Sequence, residues 1–99
     1  MKMIYCNCNV SILEELLDIF QELKIANYQV IEKSIGKDLS GEPRLDSPIW
    51  PGYSSQITTQ IDEITTDKLM QLIKKFNASA LNNNEIITLV SWKIEDYIY

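Results

Sequence analysis

Two cysteines near the start of the chain are the residues whose type and spacing come nearest to a chemical site. Cys6 and Cys8 stand two positions apart in a segment of strand-like sequence, and alternate residues of a strand point to the same face. Two thiolates on one face are candidate ligands for a soft metal ion. The chain has no histidine, however, so a tetrahedral site would need ligands from the loop or from other subunits. Alternatively, Cys6 and Cys8 are two small buried residues of a core strand. Whether the protein binds a metal is therefore left open at this point.

The other residue types give little support to catalysis. The absence of histidine removes the commonest acid-base side chain, and no motif places a serine or cysteine beside a base. Three acidic residues, Asp38, Glu42 and Asp46, could hold a hard cation, or they could simply be solvated. We therefore expect a binding protein and not an enzyme.

A single segment collects the residues that interrupt regular structure. Positions 36–52 contain every glycine and proline of the chain and its only arginine: Gly36, Gly41, Pro43, Arg44, Pro48, Pro51 and Gly52. This composition predicts a long loop. Loops of this length are usually functional or disordered, and Ile49 and Trp50 make this one too apolar for disorder. We expect residues 37–48 to be mobile and residues 49–51 to pack on the protein.

Hydrophobic periodicity predicts six elements. Residues 2–9 have the pattern of a strand, and Ser11 with Glu14 three positions later forms a capping box that opens a helix. Further strands are predicted at 28–33, 55–61 and 86–92, and a second helix at 67–76, capped by Thr65 or Thr66. The order βαββαβ predicts one α+β, ferredoxin-like domain over residues 1–99. Its four-stranded antiparallel sheet carries both helices on one face.

The predicted strands have apolar residues on both faces, whereas two helices cover only one. In the last strand Ile87 and Leu89 point one way, while Val90 and Trp92 point the other. The second face is buried either by the tail after Trp92 or by association of subunits. We favour association, because an exposed apolar sheet face is a liability.

Charge and composition exclude several kinds of partner. A net charge of −5 with no basic cluster argues against nucleic acids and anionic membranes. No run of 18 apolar residues exists, which argues against insertion into a membrane. The chain enters strand-like sequence at once, without the pattern of a secretory signal, so we expect a cytoplasmic protein.

The order of elements, the long loop after the second strand and the tail after the fourth resemble the PII-type nitrogen-regulatory signalling proteins. The similarity is closest to the PII-like branch, where segments similar to Met3-Ile4-Tyr5-Cys6, Gly41-Glu42-Pro43 and Trp50-Pro51 recur. The resemblance implies a homotrimer whose sheets pack together at its centre. It also implies that residues 34–55 form a T-loop, which changes conformation with a ligand and touches a partner protein such as a membrane transporter or a metabolic enzyme.

On this resemblance, the ligand would be a small molecule or ion held in the cleft between subunits. The candidate residues for binding the ligand and the partner are the loop positions Gly36, Lys37, Gly41, Arg44, Asp46 and Trp50. A metal-tolerance protein of the CutA type, which shares the trimeric ferredoxin-like fold, is the alternative.

The segment after the second helix departs from the pattern of the family. Classical PII proteins bind ATP or ADP between subunits through a basic, glycine-rich segment at this place, whereas residues 77–84 contain no Gly, Lys or Arg. Cradling phosphates takes free backbone N–H groups and cationic side chains. We therefore expect ATP and ADP to bind weakly or not at all.

Overall fold

The computed structural model describes residues 1–99 and contains the six predicted elements in the predicted order. The strands are β1 (Lys2–Asn9), β2 (Gln29–Ser34), β3 (Ser54–Ile61) and β4 (Thr88–Lys93), and the helices are α1 (Leu13–Glu22) and α2 (Glu63–Ala78). The strands pair antiparallel in the order β2-β3-β1-β4. The predicted ferredoxin-like fold is confirmed.

The hydrophobic core lies between the sheet and the two helices. Core residues alternate along β1 and β3 and recur at helical spacing in α1 and α2. They include Ile4, Cys6, Cys8, Leu16, Phe20, Ile57, Ile61, Leu69 and Ile73. Burying a side chain such as Leu16 or Phe20 stabilises the fold by about 1.5–3 kcal/mol, so this layer keeps both helices on one face of the sheet. Neither helix combines the length and apolar character that crossing a membrane requires.

The first helix starts differently from the prediction. A short 3-10 turn, Val10–Ile12, precedes α1, and the Asn9 side chain accepts a hydrogen bond from the backbone N–H of Ser11 at 3.1 Å. The predicted capping box at Ser11 is therefore wrong. Asn9, the last residue of β1, has the extended backbone that a cap requires and caps the 3-10 turn, whereas Ile12, directly before α1, makes no side-chain cap hydrogen bond.

The second helix begins four residues earlier than predicted. The Asp62 carboxylate accepts a hydrogen bond from the backbone N–H of Thr65 at 2.6 Å, which makes Asp62 the cap instead of Thr65 or Thr66. The bond satisfies one of the donors that every helix start leaves free. It also favours the charged carboxylate, and so lowers the pKa of Asp62.

The last strand begins two residues later than predicted, because the backbone of Ile87 forms hydrogen bonds with the Asn77 side chain and not with a neighbouring strand. Asn77, near the end of α2, accepts from the backbone N–H of Ile87 at 2.8 Å and donates to the Ile87 carbonyl at 2.9 Å. Both backbone groups of Ile87 are thus satisfied outside the sheet. The amide of Asn77 fastens the end of α2 to the start of β4.

The sheet face opposite the helices, called the open face below, has an apolar half on β1 and β4. Met3 lies opposite Trp92, and Tyr5 lies opposite Val90. Val90 and Trp92 are 47% and 49% exposed. The C-terminal tail forms a groove with Trp92 and Tyr97 among its lining residues, but it leaves this half of the face open to solvent.

Candidate functional site

The long loop, residues 35–53 between β2 and β3, is closed near its middle by a backbone bridge. The N–H groups of Gly36 and Arg44 each donate to the carbonyl of the other residue at 2.8 Å. The bridge makes residues 37–43 a small closed loop at the side of the sheet. The stretch 37–48 was predicted to be mobile, yet the structure attaches it to the fold at this point.

A buried ion pair between Arg44 and Asp38 attaches the loop to the open face, next to the Gly36–Arg44 bridge. Arg44 is only 5% exposed, its Nη2 lies 2.9 Å from Oδ2 of Asp38, and its Nε donates to the Ser54 hydroxyl at 2.9 Å. Asp38 also accepts a hydrogen bond from the side chain of Asn7 on β1. A guanidinium out of water needs such partners, because burying an unpaired charge is costly.

This network changes the roles predicted for two loop residues. Arg44 was expected to face a ligand, but its guanidinium points into the fold and is engaged by Asp38 and Ser54. Asp38 was a candidate for a hard cation, but its oxygens serve Arg44 and Asn7. The Asp38 carboxylate also lies near Tyr5, where burial first and this negative charge second raise the pKa of the Tyr5 hydroxyl.

A second contact joins the small closed loop to the segment that follows α2. The backbone N–H of Glu42 donates to Oδ1 of Asn84 at 2.8 Å. Gly41 beside it has a φ of +86°, and a Cβ at this position would lie 2.9 Å from the same Oδ1 and 3.1 Å from the Asn83 carbonyl oxygen. Only glycine can adopt this positive φ and also fit this close to Asn83 and Asn84 without strain. We call the Glu42–Asn84 hydrogen bond, with this close approach of Gly41, the Asn84 contact.

The rest of the long loop, residues 45–52, is a turn closed by its own hydrogen bonds. The Trp50 carbonyl accepts from the N–H of Leu45 at 3.0 Å and of Ser47 at 3.1 Å, and the Trp50 N–H donates to the Ser47 hydroxyl at 3.0 Å. Asp46 has a φ of +49° and donates its N–H to the Gly52 carbonyl at 3.0 Å. The 45–52 turn is therefore preorganised within one chain.

Side chains of the 45–52 turn point into solvent. Ile49 is 80% exposed and Trp50 is 38% exposed. The expectation that residues 49–51 pack on the protein is therefore wrong for Ile49, and Trp50 holds the turn mainly through its backbone. Ordering an exposed apolar residue by backbone hydrogen bonds lowers the entropy that a partner would have to remove on binding.

The segment after α2 uses several of its own donors internally. The N–H of Leu81 donates to the Glu85 carboxylate at 3.3 Å, and that of Asn84 donates to the Asn82 side chain at 2.8 Å. The N–H of Glu85 donates to the Asn82 carbonyl at 3.2 Å. A carboxylate thus occupies a donor that a phosphate cradle would need free.

The two cysteines lie inside the core on the helix-covered face of β1. Burial raises the pKa of the Cys6 thiol to about 12 and that of the Cys8 thiol to about 11, so both are protonated near neutral pH. Metals bind the thiolate. The structure contains no group of three or more His, Cys, Asp or Glu side chains placed to hold a metal ion.

The candidate loop residues divide into three groups in the structure. Gly36, Gly41 and Arg44 are attachment points of the loop, as described above. Lys37 is exposed and donates its ammonium to the Asp38 carbonyl at 3.0 Å. Asp46 belongs to the 45–52 turn with Trp50, and its carboxylate accepts a hydrogen bond from the Tyr53 hydroxyl, which raises the pKa of Tyr53.

Asp38 and Asn84 hold the loop in place, and the sequence analysis did not predict this role for either residue. Asp38 as the partner of Arg44 had a signal in the sequence, since the two opposite charges stand six positions apart in one loop. Asn84 had none, because it lies 42 positions from Glu42 and only the fold brings them together.

The fold is similar to that of solved PII-like proteins, although no similarity in sequence identifies a family. No family model matches the sequence, and no curated protein is similar to it in sequence. The chain is similar to CPII of Thiomonas intermedia K12, solved with ADP and bicarbonate, with a TM-score of 0.68 and 12% identity over 96% of this chain and 88% of that one. The apo form of CPII gives a TM-score of 0.60 and 12% identity over 94% and 89% of the two chains.

A second protein extends the comparison to another organism. It comes from Thermus thermophilus and is assigned to the PII-like signalling proteins. The TM-score is 0.63 at 12% identity, over 92% of this chain and 83% of that one. Since the similarity covers 96% and 92% of this chain in the two comparisons, this chain has the fold of the PII-like signalling proteins.

Proposed function

We propose that the protein is a PII-like regulator of the cytoplasm. It acts as a homotrimer, binds a small ligand or ion in the clefts between subunits, and contacts a membrane transporter or metabolic enzyme through the long loop. The observation that carries the proposal is the 45–52 turn, which presents Ile49 to solvent on a backbone fixed by hydrogen bonds. It does so on a fold shared with signalling proteins.

The open face supports the proposed assembly. Val90 and Trp92 are about half exposed, and the pairing of β1 with β4 places Tyr5 and Met3 beside them, so the apolar residues are adjacent on one face. Contiguous exposed apolar residues of this kind often mark an interaction surface. Three such faces packed together would remove these side chains from water. The long loops would then lie at the edges of neighbouring subunits.

The structure of CPII with ADP and bicarbonate supports a small ligand for this fold. In the present chain the ligand cleft would be bounded by the base of the long loop and by the segment after α2. Its chemistry differs from a phosphate cradle, because the Glu85 carboxylate holds the N–H of Leu81. We therefore expect a ligand other than ATP or ADP.

The proposal predicts that partner binding depends on Ile49. An aspartate at this position places a charge where an apolar contact is expected, and loss of a hot-spot residue at the centre of an interface weakens binding by about 2 kcal/mol or more. Affinity capture with the tagged I49D protein, followed by mass spectrometry, should recover at least about tenfold less of the transporter or enzyme that the unmodified protein retains.

The matched control is I64D. Ile64 is also largely exposed, but it lies on α2 and away from the loop. Its substitution should leave capture unchanged. Equal recovery of the same partner by I49D and by the unmodified protein would mean that the 45–52 turn is not the contact surface.

ATP should bind weakly or not at all. The segment after α2 offers no arginine, lysine or glycine to the phosphates, and Glu85 would repel them. Calorimetry with ATP and magnesium should show no saturation below about 10 µM, a limit equivalent to roughly 7 kcal/mol of favourable binding free energy. Tighter binding would show that Lys74 or Lys75, close by on α2, contributes the positive charge that the segment lacks.

A further inference from the structure

The two attachments of the small closed loop, residues 37–43, differ greatly in strength. At its base, Gly36 and Arg44 share two backbone hydrogen bonds, and the Arg44 side chain is buried against Asp38 and Ser54. At its far side, the Asn84 contact is one exposed hydrogen bond between neutral groups. Charged, buried hydrogen bonds are stronger than exposed neutral ones, so the loop should open first at Asn84.

We propose that the Asn84 contact is the switch of the long loop. Residues 39–43 are held closed on the segment after α2 by Asn84, and they open while the Gly36–Arg44 bridge and the Asp38–Arg44 ion pair stay fixed. The inference rests on the proposed role of the loop, because it names the movement by which the loop would respond to a ligand. It assigns Asn84 as a positioning residue.

The geometry of Gly41 shows that the closed state is a specific fit. Its positive φ and its approach to Asn83 and Asn84 leave no room for a side chain at that position. The closed loop also occupies Oδ1 of Asn84, the amide oxygen that faces it. A ligand entering between the loop and this segment must displace the Glu42 N–H from that oxygen, and its preference for the open state would shift the population.

The 45–52 turn should not take part in this movement. Its hydrogen bonds run between Leu45, Asp46, Ser47, Trp50 and Gly52, and none of them involves the segment after α2. Opening at Asn84 therefore changes the shape beside the turn without unfolding the turn. A partner that contacts both would distinguish the two states.

Hydrogen exchange of individual backbone amides in the free protein, followed by NMR, tests the proposal. In N84A the acceptor is lost, and the Glu42 amide should exchange about tenfold faster, the change expected for one net hydrogen bond. In N84D a carboxylate oxygen replaces the amide oxygen, and protection of Glu42 should return. The amides of Leu45 and Ser47 should exchange at unchanged rates in both variants. The melting temperature of N84A should fall by no more than about 4–8 °C, the shift that about 1 kcal/mol gives in a domain of this size.

A pair of glycine substitutions gives an independent check. G41A should speed exchange at Glu42, because the added methyl group collides with Asn84. G36A should not, because a Cβ there meets no atom within 4 Å. If the Glu42 amide exchanges at the same rate in the unmodified protein and in N84A, the Asn84 contact does not hold the loop and the proposal is wrong.

These outcomes are separate from those of the proposed function. Exchange at Glu42 is measured without ligand or partner, so the switch stands or fails on its own. Loss of protection in N84A together with undiminished partner capture by I49D would keep the switch and reject the contact surface. The opposite pair of results would keep the contact surface and reject the switch.

Discussion

Replacing Val90 with lysine is expected to convert the proposed trimer into a monomer. Val90 lies beside Tyr5 on the apolar half of the open face. An ammonium group buried there between subunits would have no partner, and leaving one charge unpaired in an interface costs about 3–5 kcal/mol. Association should weaken by at least about a hundredfold, which sedimentation at micromolar concentration would show.

The chain itself should remain folded in this variant, because Val90 takes no part in the core under the helices. Circular dichroism should therefore match that of the unmodified protein. I64K supplies the control, since it adds the same charge at an exposed apolar position on α2. A V90K protein that keeps the full assembly would mean that the open face is not the interface.

Replacing Asp38 with alanine is expected to destabilise the fold by about 3 kcal/mol, the low end of the range for breaking a buried pair, since Asp38 keeps some contact with solvent. The guanidinium of Arg44 would remain buried without its carboxylate. For a domain of this size the melting temperature should fall by roughly 15 °C. Urea unfolding followed by circular dichroism measures the change in the free energy of unfolding.

E42A is the matched control for the charge, because Glu42 is an exposed acidic residue of the same loop whose side chain makes no hydrogen bond. Its effect should stay within about 0.5 kcal/mol. The double variant D38L/R44M should regain most of the loss, since replacing both members of a buried pair by apolar residues is often neutral. Equal stabilities of D38A and E42A would contradict the buried network.

The fold was predictable because its signals are local and repeated. Leu16 and Phe20 in α1, and Ile4 with Cys6 in β1, follow the periods of a helix and a strand, and the core confirms both. The errors at the element boundaries have local causes as well. Asp62 competed successfully with Thr65 as a cap, because a carboxylate at the end of β3 reached the first free donors of α2.

The arrangement of the loop was only partly predictable. Its composition identified the segment, but the burial of Arg44 depends on Asn7, Asp38 and Ser54, which meet only after the sheet has formed. The Asn84 contact likewise joins distant positions. A polar residue in a loop gives no sign from sequence alone of whether its partner is a ligand, water or the chain itself.

The proposed trimer depends on the open face as the surface between subunits, because that surface also sets the clefts and the positions of the three long loops. The most direct test is the molar mass of the unmodified protein in solution, measured by light scattering across micromolar concentrations. We expect about 34 kDa, three chains of 11.4 kDa each. A constant mass of 11.4 kDa would mean that the chain is a monomer and that the open face does not join subunits.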